Sequence, residues 1–397
     1  MTLRDRICRS RMINKVNAIL IMAVIVTTYY SLHLMVQRME HLERRIDREL
    51  SSAYDRENIT EKLLQRPGEE EPKNYIYNFT IDISNLEKCK DEKVFLLIIV
   101  TTAPQNHRHR FEIRQTWGNV SNVFGANIKT VFAVGKPTNR AAQVALEQEN
   151  RLHHDIIQGD FVDSYRNLTL KTMLCLKWAI QYCPQARYVL KADDDTFVSI
   201  FTLVKHLQEL PSDPKDFVTS WVYEGRAPLR DPNFMPKWYV SEKEYSRDVY
   251  PKYPSGFLLL LLYCLASYLR LSAVAHGLDT TQVSGTSKTK GKYICMLMNM
   301  FAYVLSNDIT VKIYKAALDI KYFFLEDVYI GLCLEKLGIS PVHHSGFFPE
   351  FVPIPSCKVD WLLASHWVKE PEVMLSHWAN QNTDCSLVSE DHVDEQT

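Results

Sequence analysis

The 397-residue chain lacks both glycine-rich phosphate loops, GxGxxG and GxxxxGK[ST]. Their absence argues against Rossmann-type dehydrogenases and P-loop nucleotide hydrolases, whose backbones need glycine where they close on phosphate. Charge of one sign is lacking too, and a net charge of −1 offers no basic field for nucleic acid. No Cys-x-x-Cys pair is present among the 9 cysteines, so disulfides read better than a zinc site, with the pairing open. What is there is a folded composition: 46% of residues are hydrophobic, enough for one large or two medium domains.

One long apolar run stands at the N-terminus. Val16 to Val36 matches about one bilayer thickness, and Arg4, Arg6, Arg9, Arg11 and Lys15 precede it against only Asp5. No small-residue cleavage site follows, so residues 16–36 read as an uncleaved anchor, 1–15 as a cytosolic tail and the remainder as lumenal. The sequons at Asn58, Asn78, Asn119 and Asn167 all fall on the lumenal side, as do Cys89, Cys175, Cys183, Cys333, Cys357 and Cys385, which suits an oxidising compartment. Met35, Met39, Leu42, Ile46 and Leu50 recur at helical spacing, which reads equally as a self-associating stem and as a solvated helix. Pro67 to Pro72 reads as linker, leaving 37–73 as stem and 74–397 as the lumenal domain.

From Val94 onward, strand and helix patterns alternate. Val94–Thr101 is a continuous apolar strand, and the next helix carries Arg108, Arg110 and Arg114. Ile128–Val134 and Asp155–Ile157 read as strands, Asn139–His153 and Leu168–Tyr182 as helices, and Tyr188–Ala192 as a buried strand ending in Asp193, Asp194 and Asp195. Such alternation predicts an α/β domain with a mostly parallel central sheet and helices on both faces.

Two acidic clusters carry the chemistry. Three aspartates at a strand tip suit a divalent cation such as Mn²⁺ or Mg²⁺, although aspartates also populate solvated turns. Glu326 and Asp327 open an amphipathic helix, where acids are expected from the dipole but where one carboxylate can also face a cleft as general base. A metal-dependent hydrolase is disfavoured, because the acids lack histidine-rich spacing.

Five segments together resemble glycosyltransferase family 31, the β-1,3-galactosyl- and N-acetylglucosaminyltransferases. They are Arg110-Phe-Glu-Ile-Arg114-Gln-Thr-Trp117-Gly118, Asp160 to Lys171, the Asp193–Asp195 DxD motif, Lys237-Trp238-Tyr-Val240 and Glu326 to Gly331. They keep the family's order from about Lys93 to Trp378. The resemblance implies a type II Golgi membrane enzyme with a GT-A-like nucleotide-sugar-binding fold and inverting chemistry. It would use Mn²⁺ or Mg²⁺, moving galactose from UDP-galactose to a glycan hydroxyl in β-1,3 linkage. Carried over by residue, Asp195 and His366 would bind the metal, while Asp193, Asp194, Arg110 and Arg114 would hold the donor. Asp327 would be the base, and Trp238 and Glu326 would lie toward the acceptor. For His366, the competitors are His343, His344 and His377. The Glu326 segment resembles the galactosyl branch, whereas Ala192-Asp-Asp-Asp195 resembles N-acetylglucosaminyl members that use UDP-GlcNAc.

The chain departs from the family at one place. Deleting Phe257 to Met300 leaves Pro-Ser-Gly-Phe-Ala-Tyr-Val-Leu-Ser, which runs as family sequence without a gap. That clean excision points to a translated intron or mispredicted exon, with a genuine accessory loop as the other reading. The insertion also favours a rival reading of the whole chain, a catalytically inactive relative that binds glycans. Pro254 stands where many relatives have cysteine, so one family disulfide is expected to be missing.

Overall fold

The computed structural model describes Gln37 and residues 77–211, 214–233, 235–254, 302–352, 360–366, 368 and 370–381. The expected anchor at 16–36, the stem (Gln37 apart), Asn58 and the segment 257–300 lie outside the described residues. The chain divides into two units, Met1–Gln65 and Arg66–Thr397, and the sheet with its covering helices belongs to the second. Among the described residues no helix is long and apolar enough to cross a membrane.

The strands are β1 (Ile81–Ile83), β2 (Leu96–Thr101), β3 (Asn122–Val123), β4 (Ala126–Lys136), β5 (Ile156–Val162), β6 (Tyr188–Asp193) and β7 (Phe197–Val198). After these come β8 (Val218–Ser220), β9 (Val222–Tyr223), β10 (Tyr253–Pro254), β11 (Ala302–Ser306), β12 (Val342–His343), β13 (Phe347–Phe348) and β14 (Ala364–Ser365). Helices are α1 (His107–Gln115), α2 (Arg140–His153), α3 (Leu168–Tyr182), α4 (Ile200–Glu209), α5 (Asn307–Ala317), α6 (Glu326–Leu337) and α7 (Pro371–Gln381).

The main sheet runs β1-β5-β4-β2-β6-β11-β8-β12. Its centre, β5, β4, β2 and β6, is parallel, as the apolar runs predict, because helices cover both faces. The flanks are mixed: β1 pairs with β5, and β11 with β6 and β8, in antiparallel sense, while β12 pairs with β8 in parallel sense. The short strand expected at Asp155–Ile157 runs on to Val162, because the Gln158 amide is satisfied internally through Gly135 O at 3.1 Å and Gln143 at 2.9 Å. Asn139 caps α2, its Oδ1 accepting the Ala142 N–H at 2.8 Å, so that helix starts where the sequence places it. Buried residues occupy almost every position of α3, including Thr169, Lys171, Thr172 and Gln181, so this helix is enclosed on all sides rather than on one face.

Three features place the site. After β2 the chain goes to β4 and β5, then returns through α3 to β6 on the other side of β2. The tips of β2 and β6 thus flank a topological switch point, with Thr101 in register with Asp193. Second, β14 pairs antiparallel with β7, Ser365 opposite Phe197, and the Val368 N–H donates to Asp195 O at 2.9 Å. That pairing carries His366 to the aspartate turn across 171 positions of sequence. Third, α6 lies tight against β10. A Cβ on Gly331 would sit 2.6 Å from the Tyr253 Cβ and 2.8 Å from Lys252 O, so only glycine permits this approach.

Candidate active site

A cleft of about 480 Å³ opens at the tips of β2 and β6. Its walls are the Thr101–Asn106 loop, the aspartate turn, the segment from Asp163 to Lys171, Lys237, the start of α6 and His366. Ligands of open α/β sheets bind at such a crevice.

The aspartates at the end of β6 have divided roles. Asp193 accepts from Thr101 Oγ1 at 2.5 Å and from Lys191 Nζ at 2.6 Å. Asp195 lies 3.0 Å from His366 Nε2. Ligand atoms of Asp193, Asp195 and His366 all fall within 4.8 Å of one another. Two carboxylates and an imidazole at that spacing fit one small divalent cation of the Mn²⁺ type. Burial raises the Asp193 pKa, and neighbouring Asp195 adds to it, against the opposing pull of Lys191 and Thr101. Asp194 faces the other way, accepting from Thr102 Oγ1 at 2.5 Å and Asn106 Nδ2 at 2.9 Å, with His109 at 3.7 Å. Burial works to raise its pKa, but hydrogen bonds from His109, Thr102 and Asn106 outweigh that and hold it below the usual range.

The second acidic pair opens α6, where the helix dipole favours negative charge. Glu326 is fully buried, accepts from the Tyr303 hydroxyl at 2.8 Å and lies 3.9 Å from Lys191 Nζ; burial raises its pKa. Asp327 lines the cleft and accepts its neighbour's N–H, from Val328, at 2.8 Å. Burial and then the Asp327 charge push up the pKa of the Tyr165, Tyr250 and Tyr253 phenols, and Tyr165 lines the cleft with Asp327. The cleft therefore holds two carboxylates and an imidazole grouped at metal-ligand spacing, and a further buried carboxylate, Asp327.

A family model described as Galactosyltransferase matches residues 108–284 and 272–345, spanning both acidic clusters. The chain belongs to the galactosyltransferase family. It is similar to lactosylceramide 1,3-N-acetyl-beta-D-glucosaminyltransferase of Rattus norvegicus, 32% identical over 83% of this chain and 75% of that one. Beta-1,3-galactosyltransferase 1 of Mus musculus is 33% identical, covering 77% and 80% of the two chains. Beta-1,3-galactosyltransferase 5 of Gorilla gorilla gorilla is 31% identical, covering 77% and 88%. These findings make the chain a hexosyltransferase of glycosyltransferase family 31.

Within this hexosyltransferase the sequence-expected residues separate into two groups. Asp193, Asp194, Asp195, His366, Glu326 and Asp327 meet at the cleft. Arg110, Arg114 and Trp238 do not line it. Arg110 is wholly buried, and its guanidinium donates to Glu149 at 2.8 and 2.6 Å, Ala103 O at 2.7 Å and Pro104 O at 3.0 Å. Arg114 is taken up by Asp155 at 2.8 Å and Glu149 at 2.7 Å. With Thr102 Oγ1 at 3.4 Å taking its fifth N–H, the Arg110 guanidinium has no donor left for a phosphate, whereas these contacts take three of the five N–H groups of Arg114. Trp238 stands behind Lys237, whose ammonium lies 4.1 Å from the Tyr165 ring centre and is the group on the cleft wall.

Sequence reasoning assigned no role to Lys171 or Lys191. Lys171 Nζ donates to Thr102 O at 2.7 Å and pairs with Asp163 at 2.9 Å, while Lys191 bridges Asp193 and Glu326. The available signal was a lysine inside an otherwise apolar strand, since a buried ammonium requires a carboxylate partner. Of the described sequons, Asn78 and Asn119 are exposed. Asn167 differs, because its Nδ2 donates to Val162 O at 2.8 Å and Thr169 is buried against Phe323 O at 2.7 Å. Cys89 and Cys183 form a disulfide. Cys175 and Cys333, also expected in an oxidising compartment, are buried free thiols, each sealed in its helix.

Proposed function

We propose that this galactosyltransferase-family chain is an inverting β-1,3-galactosyltransferase with a GT-A-like fold, taking galactose from UDP-galactose to a sugar hydroxyl of a glycan acceptor. The observation that carries the reading is the sharing of one cleft by the Asp193–Asp195–His366 set and the buried Asp327 carboxylate. Inversion needs acids at two places: a ligand set on the leaving-group side and a base on the acceptor side. Bound there, Mn²⁺ or Mg²⁺ would supply the positive charge that offsets the departing diphosphate. Thr101 and Lys191 orient Asp193 through two short hydrogen bonds, so the ligand does not have to be organised during the reaction. Asp327 takes the acceptor's hydroxyl proton as that oxygen bonds to the sugar's C1, and the C1–O bond to UDP breaks.

UDP-N-acetylglucosamine is the second donor reading, favoured by the glucosaminyl relative and by the Ala192-Asp-Asp-Asp195 segment. A type II Golgi membrane location is supported by the buried Cys89–Cys183 disulfide, by exposed sequons at Asn78 and Asn119, and by the apolar run at 16–36. For residues 257–300 the reading is a translated intron or a mispredicted exon; the family match breaks into two overlapping stretches in this region.

The test is UDP release by the full chain with Mn²⁺, offering both donors with β-GlcNAc and β-galactose acceptors. Release from UDP-galactose with the GlcNAc acceptor is expected, falling by about 10²–10⁴-fold in Asp327→Asn. An Asp327→Asn variant as fast as the parent, or release from neither donor, would sink the proposal.

A further inference from the structure

Asp194 is the middle member of the aspartate turn, yet it stands outside the group that Asp193 and Asp195 form with His366. Thr102 Oγ1 and Asn106 Nδ2 both donate to the same oxygen, Oδ2, at 2.5 and 2.9 Å. Both donors sit on the loop between β2 and α1, and that loop is fastened from two sides. Lys171 Nζ holds Thr102 O at 2.7 Å, and Arg110 holds Ala103 O and Pro104 O at 2.7 and 3.0 Å. Arg110 is itself anchored on α2 by the two oxygens of Glu149.

We infer that the Glu149–Arg110 pair and the Thr102–Asn106 loop form a brace that holds Asp194 aside as a non-ligand, and so turns Asp193 and Asp195 together toward His366. Arg110 and Asn106 are then positioning residues for the cation site, acting through Asp194, and Arg110 does not touch the donor. The inference rests on the reading of Asp193, Asp195 and His366 as a cation site. Consecutive residues in a tight turn cannot all face one point, so fixing the middle side chain outward fixes its two neighbours inward. Outer partners of metal ligands act in this way, and their loss typically weakens metal binding about 10–100-fold.

Direct Mn²⁺ binding tests this without turnover, by loss of the free-ion electron paramagnetic resonance signal on titrating the full chain in the presence of UDP. Asp194→Asn keeps an oxygen for both donors, so its Mn²⁺ dissociation constant should stay within about threefold of the parent, while Asp194→Ala weakens it about 10–100-fold. Arg110→Lys, which cannot reproduce the fork, and Asn106→Ala, which leaves the buried arginine untouched, should both weaken binding in the same direction. Adding either to Asp194→Ala should cost little more, as expected for residues acting along one path. The inference is overturned if Asp194→Asn weakens Mn²⁺ as much as Asp195→Asn, which would make Asp194 a ligand. It is equally overturned if Asn106→Ala and Arg110→Lys alter only the melting temperature, or if the parent binds no Mn²⁺. UDP release by the parent is measured alongside. Its absence with Mn²⁺ binding intact counts against the transferase reading and not against the brace.

Discussion

Replacing both Cys89 and Cys183 by alanine removes the disulfide that closes the chain around β2, α1, β4, α2, β5 and α3. The two residues are 94 positions apart and both are wholly buried. In the chain-entropy treatment, a loop of that length restricts the unfolded state by about 16 cal/mol/K, or about 4.7 kcal/mol at 25 °C. For a domain of this size such a loss lowers the melting temperature on the order of 10 °C. Differential scanning calorimetry of the Cys89→Ala, Cys183→Ala double variant against the oxidised parent reads this directly. Peptide mapping without reductant should find Cys89 bridged to Cys183 and free thiols at Cys175 and Cys333. A double variant melting within about 2 °C of the parent would refute the reasoning, because it would mean the unfolded loop is already restrained by other means. Free Cys89 and Cys183 in protein from an oxidising compartment would refute the bridge itself.

The site and the insertion each carry a further expected outcome. Burial raises the pKa of Asp193, so the folded, metal-free protein holds that proton more tightly than the unfolded chain and loses stability as pH climbs through the raised value. Proton and cation compete for the same carboxylate, so stabilisation by Mn²⁺ should grow as pH climbs through that raised value; a gain independent of pH would count against Asp193 as a ligand. A chain lacking residues 257–300 should release UDP at least as fast as the parent, and a shortened chain that is inactive while the parent works would show the segment to be a genuine part of the enzyme.

Both acidic clusters were legible because each breaks a strong local pattern. Asp193 interrupts an apolar strand, and Glu326 and Asp327 open a helix with the charge its dipole favours. The parallel centre of the sheet was legible in the same way, as buried strands alternating with helices. Side-chain direction was not. The arginines at 110 and 114 look like anion binders in sequence, and only the tertiary structure shows that Glu149 on α2 and Asp155 just before β5 pair with them. Lys191 was hidden for a related reason: an ammonium in a strand has meaning only once Asp193 and Glu326 are seen on either side of it.

The amino-acid sequence by itself determined the family, the order of the βα units and the existence of two separated acidic clusters. Those depend on residue type and short-range spacing, which the linear chain carries in full. Tertiary structure decided which carboxylates share an ion, which one is turned away and which histidine joins them. His366 reaches Asp195 through the pairing of β14 with β7, and Asp194 is claimed by the β2–α1 loop. Neither contact has a signature along the chain, because each is made by backbone register between segments brought together only when the core closes.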